Sequence, residues 1–540
     1  MELTYRGLQD RAGWTRAGVR LPAYDPAALA ERTRGDPVWA HFGAGNIFRL
    51  FLGGIADDLI EGGWLDRGIT CAEPFDFQVI EQIYRPHDNL VLAVTLLADG
   101  GTEKRVLGSL SEGVCARSGD PADWERLKEI FRAPGLQMVS FTITEKGYAL
   151  RGADGAYLPP VRRDLEGGPA QPVCAMGVVT AMLYERWKAG GAPLALVSMD
   201  NVSRNGKKLR ESVLEVASVW TERGFTEPGF LSYAEDEARV SFPWTMIDKI
   251  TPRPGEAVSA SLSRDGIEGM AITVTDRQTY IAPFVNGEKP QYLVVEDAFP
   301  NGRPPLEKAG VYMTDRDTVN RSERMKVTVC LNPIHTALCT YACMLGYGLF
   351  ADGMRDPELA ELARQVGYKE GLPVVEDPGI LSPRAFLDEV LEVRFPNPFL
   401  GDTSARIAVD VSQMVGIRFG ETIKAYVARD GNAGALTAIP LAIAGWLRYL
   451  LAVDDRGLPM ALSPDPMGPE LAERLAGVSL GDPDSLGDRL RPILSNENLF
   501  GLDLYQAGLG ERIETMVRDM LAGPGAVRAA LKKYLHPDSQ

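Results

Sequence analysis

The sequence predicts an α/β protein with an N-terminal Rossmann-type dinucleotide-binding domain and a mainly α-helical C-terminal domain. Three observations support this prediction. Short buried-strand patterns in the N-terminal half end in glycine or polar residues, and the C-terminal half has apolar residues at helical spacing instead. The length of 540 residues is also more than one hydrophobic core usually serves. We therefore predict two domains, one at 1–312 and one at 313–540.

The composition is that of a folded protein and disfavours several classes of partner. The apolar share of 45% and the charged share of 24% are ordinary for a globular chain. A net charge of -16 works against a nucleic-acid or anionic-membrane surface. Six cysteines without a CxxC pair favour a reducing cytoplasm. The apolar stretch 435–453 is interrupted by Pro440 and Arg448, so we expect a core helix there, not a membrane span.

The first predicted unit is a strand, a tight glycine turn and a helix. A short apolar run at 38–42 is followed by Gly43-Ala44-Gly45-Asn46, and apolar residues recur at helical spacing from Ile47 onward. Glycines let the backbone approach a pyrophosphate, and a helix N-terminus offers unpaired N–H groups. Phe48 stands where the full GxGxxG fingerprint has its third glycine, so we expect looser packing of helix against strand. Alone, this motif would suit a chance turn equally well.

A second predicted strand, 69–72, ends at an acidic residue, Glu73. An acid at this point can accept hydrogen bonds from both ribose hydroxyls of NAD and would repel the extra phosphate of NADP. Asp76 is a rival for the role, and either acid could instead be a solvated turn carboxylate.

Two further buried strands are predicted at 137–144 and 194–199, and both end in polar turns. Ligands of parallel sheets bind beyond the carboxyl ends of the strands. We therefore expect an NAD site at this edge of the sheet.

The segment from Lys326 to His335 is the predicted reaction centre. Asn332 and Pro333 predict an N-cap followed by proline at the first helical position. Asn332 and His335 are three residues apart and can point toward one ligand atom, while the positive helix end keeps the imidazole neutral. With Lys326, they could polarise a carbonyl and exchange its proton without a metal. A plain cap, a core histidine and a surface lysine would explain the same three residues.

No histidine lies in a metal-binding spacing such as HExxH, so we predict no metal site and disfavour a zinc dehydrogenase. In the C-terminal half, helical apolar spacing recurs at 358–366, 383–393, 435–451, 469–476, 511–521 and 526–534.

Seven ordered segments resemble the long-chain mannitol dehydrogenases, also called polyol-specific long-chain dehydrogenases. The segments are 41–47, 142–148, 198–206, 246–252, 294–304, the Lys326 region and 397–406. The resemblance implies a metal-independent, NAD-linked secondary-alcohol dehydrogenase whose helical C-terminal domain helps to form the cleft.

The same resemblance implies roles for individual residues. Lys326 would be the general acid/base, and Asn332 with His335 would form the oxyanion-type pocket around the substrate oxygen. Three residues match positions that hold substrate hydroxyls: Asn201, Asp248 and Arg406. Glu323 matches an acid that relays protons from solvent.

Departures from the family pattern favour its hexuronate branch. Lys326 precedes Asn332 by six residues where the family usually has five, so a bulge or a longer turn must absorb one residue, or another lysine serves. The segment 330–336 is closer to fructuronate or tagaturonate reductases than to mannitol enzymes. Met414 stands where polyol enzymes often have a lysine. Four cations could pair with a uronate carboxylate: Lys249, Arg253, Arg324 and Arg406.

The resemblance leads us to expect NAD-dependent reduction of D-fructuronate to D-mannonate. Tagaturonate reductase and mannitol 2-dehydrogenase are the closest alternatives, and a non-catalytic nucleotide-binding regulatory protein on the same fold is less favoured. We further expect a small sugar-acid or polyol substrate, no nucleic-acid or membrane partner, a cytoplasmic location, and a monomer or loose homodimer.

Overall fold

The computed structural model describes residues 1–536 and divides the chain into two compact units. The first unit ends at Asn320 and the second begins at Arg321. The sequence predicts this division after residue 312. The difference arises because residues 312–314 form a strand of the first unit.

A six-stranded parallel sheet forms the centre of the first unit. Its strands are β1 (Trp39–Phe42), β2 (Ile69–Glu73), β3 (Leu110–Cys115), β4 (Met138–Phe141), β5 (Leu194–Ser198) and β6 (Val240–Ser241). The spatial order is β3-β2-β1-β4-β5-β6, with every neighbouring pair parallel. This is the doubly wound order of dinucleotide-binding proteins, and the strand order reverses between β1 and β4. The predicted Rossmann-type fold is confirmed.

Both faces of this sheet are covered, which explains why its strands lack an alternation of apolar and polar residues. Phe42 and Phe141 belong to one apolar core, whereas Trp39 and Met138 belong to a second core on the opposite face. Central strands of parallel sheets are buried on both sides in this way. The four strands that the sequence predicted are present. β3 was missed because it contains a glutamate and a glycine, and β6 because it has only two residues.

Four helices of the first unit pack near the sheet: α1 (Gly53–Glu61), α2 (Pro121–Arg132), α3 (Ala175–Lys188) and α4 (Asn205–Glu222). Asp120 caps α2 by accepting a hydrogen bond from the backbone N–H of Asp123, and Pro121 follows at the first helical turn. Smaller sheets surround this core, with strands at Val19–Arg20, Val91–Leu96, Thr102–Leu107, Thr245–Asp248, Thr273–Val274, Tyr280–Ile281, Phe284–Gly287, Tyr292–Glu296 and Tyr312–Thr314.

The second unit is helical. Its core contains α5 (Asn332–Met344), α6 (Ala438–Tyr449) and α7 (Gly510–Met520), with α6 packed against both of the others. Other helices lie at Phe350–Met354, Pro357–Arg364, Pro383–Glu389, Ser404–Ile407, Val411–Val415, Glu421–Asp430, Gly468–Arg474, Arg491–Leu494, Glu497–Phe500 and Ala526–Leu535. Each of the six helices that the sequence predicted beyond residue 350 overlaps one of these elements.

The helical stretch Arg316–Met344 is long and apolar enough to cross a membrane by length and composition alone. Because 78% of its most apolar window is buried inside the protein, it fits a core helix well.

Candidate functional site

A cavity of about 520 Å³ lies in the first unit at the carboxyl ends of β1, β2 and β4. Its walls include Gly43, Ala44 and Gly45 after β1, Glu73 at the end of β2 with residues 74–76 beyond it, and residues 142–144 after β4. This is the switch point at which doubly wound sheets bind their ligands. The structure therefore brings five of the seven residues predicted to bind the cofactor around one cavity, whereas Asn46 and Ile47, which follow Gly45 directly, are not part of its walls.

The two glycines of the turn after β1 have different physical roles. Gly43 has a φ of 108°, and a Cβ there would lie 2.2 Å from the carbonyl oxygen of Thr142. A Cβ on Gly45 would meet no atom within 4 Å, because Gly45 faces the open cavity. Asn46 presents a buried side-chain oxygen that has no hydrogen-bond partner within residues 1–536. A close backbone approach beside an unpartnered polar atom suits the pyrophosphate of a dinucleotide.

Glu73 joins the turn after β1 to the turn after β2. Its Oε2 accepts a hydrogen bond from the backbone N–H of Ala44 at 2.7 Å, and its Oε1 accepts from Phe75 at 2.8 Å and Asp76 at 3.0 Å. The residue is 7% exposed, and burial raises its pKa although the three N–H donors act in the opposite direction. Glu73 is therefore a buried clamp, and the alternative of a solvated turn carboxylate is wrong.

Asp76 is the second acid in the cavity wall and has more acceptor capacity to spare. It is 4% exposed, and its Oδ2 accepts a hydrogen bond from the Thr275 hydroxyl at 2.6 Å. A carboxylate can accept about four hydrogen bonds. Glu73 already accepts three, whereas the side chain of Asp76 accepts one from the described part of the chain. Of the two predicted acids, Asp76 is thus better placed to accept from a ligand.

Phe48 fills the space that a third glycine would have left open. Its ring is fully buried and stacks on the His41 imidazole, with centroids 3.9 Å apart and planes 6° apart. The two ring nitrogens of His41 bond the Ser140 hydroxyl at 2.7 Å and the Thr142 hydroxyl at 2.9 Å. Burial lowers the His41 pKa, so the ring is neutral, and it ties β1 to β4 beside the cavity.

The turn after β4 is strained where it meets the cavity. Thr144 has a φ of 60°, a conformation that β-branched residues rarely adopt. Asp200 compensates by accepting hydrogen bonds from the backbone N–H groups of Ile143 at 2.8 Å and Thr144 at 3.1 Å, and from the Tyr148 hydroxyl at 2.6 Å. Strain that the surroundings hold in place is typical of ligand-binding sites.

Sequence reasoning missed Arg49, one turn beyond Gly45. All three of its guanidinium nitrogens are buried without a hydrogen-bond partner in residues 1–536, and the group lies 5.7 Å from the centre of the Tyr84 ring. Burial lowers its pKa, and Tyr84 and Cys71 act in the opposite direction. An isolated cation beside a helix N-terminus increases the positive potential there and favours an anionic ligand. A lone arginine in an otherwise apolar helix start was the available sequence signal.

In the second unit, a π-helical turn absorbs the extra residue between Lys326 and Asn332. The turn spans Lys326–Cys330, and the backbone N–H of Leu331 donates to the carbonyl oxygen of Lys326 at 3.1 Å. A π turn spans one residue more than an α turn and often marks a functional site. Lys326 is 2% exposed, so the alternative of a surface lysine is wrong.

The start of α5 differs by one residue from the prediction. Leu331 occupies the capping position and Asn332 is the first helical residue, so Asn332 is not the predicted N-cap. The π turn displaces the helix start, because it ends at Cys330 and Leu331 breaks the helical geometry with φ −132° and ψ −67°. The Asn332 Oδ1 is buried and lacks a hydrogen-bond partner in the described chain, so its amide is not used for capping.

His335 is held by aromatic walls near Asn332. Its ring stacks on Phe395 with centroids 4.3 Å apart and meets the edge of Phe350 at 5.0 Å. The imidazole is half-buried, in contrast to the fully buried apolar residues that follow it. The structure thus places a buried lysine, an unpartnered amide and a fixed imidazole in one short segment.

The remaining predicted residues lie at several places. In the first unit, Asn201 is exposed just after β5, and Asp248 is buried at the end of its strand. In the second unit, Glu323 is half-buried on the helix that leads to Lys326. Arg406 is exposed, forms an ion pair with Asp402, and lies on a short helix that packs against α5.

Three further predicted cations also have partners. Arg324 pairs with Glu376 at 2.9 Å and with Glu421 at 3.3 Å. The Arg253 guanidinium lies 4.6 Å from the centre of the Tyr280 ring. The Lys249 ammonium donates to the carbonyl oxygen of Glu288 at 2.8 Å.

Comparison with known proteins gives consistent matches over the whole chain. Residues 39–308 match the mannitol dehydrogenase Rossmann domain, and residues 318–521 match the mannitol dehydrogenase C-terminal domain. A D-mannonate oxidoreductase from Thermotoga maritima is 51% identical over 540 residues, which is 99% of each chain.

Two solved structures share the fold. The substrate-free D-sorbitol dehydrogenase has a TM-score of 0.78 at 25% identity, over 95% of this chain and 98% of that one. The Pseudomonas fluorescens mannitol 2-dehydrogenase, in ternary complex with NAD and D-mannitol, has a TM-score of 0.70 at 27% identity, over 99% of each chain.

Proposed function

The chain belongs to the mannitol dehydrogenase family, and we propose that it is an NAD-dependent fructuronate reductase that reversibly converts D-fructuronate and NADH to D-mannonate and NAD. The observation that carries this proposal is the segment with buried Lys326, unpartnered Asn332 and aromatic-walled His335. The choice of a sugar acid is supported by the 51% identity to the Thermotoga D-mannonate oxidoreductase.

The first unit would hold the dinucleotide. The turn formed by Gly43, Ala44 and Gly45, together with Asn46 and Ile47 at the helix start, fits the pyrophosphate, because Gly45 opens onto the cavity and the Asn46 oxygen is unpartnered. Arg49 adds positive potential to the same turn. Asp76 would accept the adenosine ribose hydroxyls, while Glu73 fixes the turn that carries it. When bound, NADH supplies the hydride that reduces the ketone carbon.

The second unit would stabilise charge on the ketone oxygen during reduction. Asn332 and His335 lie three residues apart on α5, so N–H groups of both side chains can be directed at one oxygen. The amide can present its N–H group there, since a flip exchanges the amide oxygen and nitrogen. Lys326 would protonate the developing alkoxide, and Glu323, three residues earlier on a helix, would return protons from solvent.

Substrate hydroxyls would be held by Asn201, Asp248 and Arg406, the positions that the family resemblance assigns. We further propose a cytoplasmic protein, a monomer or loose homodimer, without nucleic-acid or membrane partners. The net charge of -16 supports the lack of nucleic-acid and membrane partners. Six cysteines that are all free of disulfides support the cytoplasmic location.

The test is NADH oxidation by the purified protein with D-fructuronate, D-tagaturonate and D-fructose. We expect the largest kcat/KM for D-fructuronate and a clear preference for NADH over NADPH. Lys326→Met should lower kcat by about 10²- to 10⁴-fold, as expected for loss of a general acid, with an unchanged Kd for NADH. A preference for D-fructose would overturn the sugar-acid assignment, and near-wild-type turnover by Lys326→Met would overturn the role of the lysine.

A further inference from the structure

Arg418 lies beside the helix that carries Asn332 and His335, and none of the roles described above uses it. It is part of a π-helical turn, Gly416–Gly420, that packs against α5. Its Nη1 donates a hydrogen bond to the Thr336 hydroxyl at 2.7 Å. Arg418 follows Met414 by four residues, about one helical turn. A cation is therefore present one turn beyond the position where a lysine is missing.

The Arg418 guanidinium has no acidic partner in residues 1–536. Its hydrogen bond to Thr336 is its only one there, and its Nε is buried without any partner. Burial lowers its pKa, and the sole opposing effect comes from the Cys339 thiol. By contrast, Arg324 and Arg406 each pair with a carboxylate. Arg418 is half-buried. A partly desolvated cation without a counter-charge is costly, and an anionic ligand would offset that cost.

The spacing along α5 matches the length of a keto-uronate. Thr336 follows Asn332 by four residues, so both side chains lie on one helix face with Cβ atoms about 5–6 Å apart. In D-fructuronate, four carbon–carbon bonds separate the ketone carbon from the carboxyl carbon, about 5 Å in an extended chain. A substrate whose ketone oxygen lies at Asn332 and His335 can thus extend its carboxylate toward Thr336.

We propose that Arg418, positioned by Thr336, binds the carboxylate of the substrate and selects a sugar acid over a neutral sugar. This inference rests on the proposed function. A planar guanidinium suits the task because it can form two parallel hydrogen bonds with a carboxylate. D-Fructose has a hydroxymethyl group at the same end and offers no charge to Arg418.

A purely structural role for Arg418 would give different results. If it only joined its helix to α5, its removal would lower the thermal midpoint and impair all substrates alike. Carboxylate binding instead predicts a loss that depends on the charge of the substrate.

The experiment compares wild type with Arg418→Met and Arg418→Lys, using NADH with D-fructuronate and with D-fructose. The control is Arg429→Gln, because Arg429 is exposed and pairs with the adjacent Asp430. For Arg418→Met we expect kcat/KM to fall about 10²- to 10³-fold with D-fructuronate and less than about threefold with D-fructose. Arg418→Lys keeps the charge and should fall between Arg418→Met and wild type, and the control should match wild type.

Folding is followed separately by the thermal midpoint and the Kd for NADH. Equal losses on both substrates, or fructuronate activity retained by Arg418→Met, would overturn the role of Arg418 alone. If Arg418→Met does not fold, Arg418→Lys decides the matter, since a folded lysine variant with equal losses on both substrates would also overturn it. A wild-type protein inactive on both keto-uronates would overturn the proposed function and this inference together.

Discussion

Exchanging Glu73 and Asp76, the two acids of the cavity wall, each for its amide should separate the structural role of the first from the ligand-binding role of the second. Glu73→Gln keeps the shape of the side chain and one oxygen for the N–H groups of Phe75 and Asp76. The new amide N–H₂ would face the N–H of Ala44, where an oxygen now accepts at 2.7 Å. One charge-assisted hydrogen bond is lost and a buried N–H is left unsatisfied, so the unfolding free energy should fall by about 2–3 kcal/mol.

The same exchange should displace the turn that we propose contacts the pyrophosphate, so NADH affinity should also fall. A loss of about 1.4–2.8 kcal/mol in binding corresponds to a 10- to 100-fold rise in Kd. NADPH affinity should fall by the same factor, because the pyrophosphate is common to both coenzymes.

Asp76→Asn should give the opposite pattern. The amide oxygen can still accept from the Thr275 hydroxyl, so stability should change by less than about 1 kcal/mol. Loss of the negative charge removes the repulsion of the additional phosphate, and the ratio of NADPH to NADH affinity should rise at least about tenfold.

Fluorescence titration of both coenzymes, together with denaturant unfolding, measures all of these quantities. The assignment of roles is refuted if Glu73→Gln changes the NADPH-to-NADH ratio while Asp76→Asn leaves it unchanged.

Three further predictions concern the first unit. Gly43→Ala places a methyl group 2.2 Å from the Thr142 carbonyl oxygen at a φ of 108° and should cost about 1–3 kcal/mol of stability. The methyl group of Gly45→Ala meets no atom within 4 Å, so this variant should fold normally yet bind NADH at least about tenfold more weakly. Wild-type NADH affinity in that variant would contradict the proposed contact between Gly45 and the pyrophosphate. Burial raises the pKa of Asp57 to about 6, so the folded state binds a proton that the unfolded state has released between about pH 4 and pH 6. Stability from this group is therefore present below about pH 4 and is lost as the pH rises through 6, by about 3 kcal/mol in total, and Asp57→Asn should remove that slope in urea unfolding. An unchanged slope in the variant would show that Asp57 is not its source.

Local sequence patterns predicted the features that local chemistry determines. The apolar run, glycine turn and helix around Gly43 were predictable because their signals lie within about two helical turns of sequence. β3 could not be predicted in this way, since its burial depends on strand pairing with β2 and its own residues include Glu112 and Gly113. The clamp formed by Glu73 depends on Ala44, which is distant along the chain.

In the second unit, too, local sequence patterns do not reveal features that depend on distant contacts. The extra residue after Lys326 was visible in the sequence, but only the backbone shows that a π turn absorbs it. Arg418 could not be predicted from the sequence, because its partner Thr336 lies 82 residues away and no short-range pattern connects them. The sequence instead points to cations near the family motifs, and two of these, Arg324 and Arg406, have carboxylate partners.

The most direct test of the central claim is the reverse reaction, in which NAD reduction is recorded with D-mannonate, with the epimeric aldonate that corresponds to D-tagaturonate, and with D-mannitol. We expect D-mannonate to give the highest kcat/KM and D-fructuronate as the sole keto product. Faster oxidation of D-mannitol, or of the epimeric aldonate, would contradict the claim.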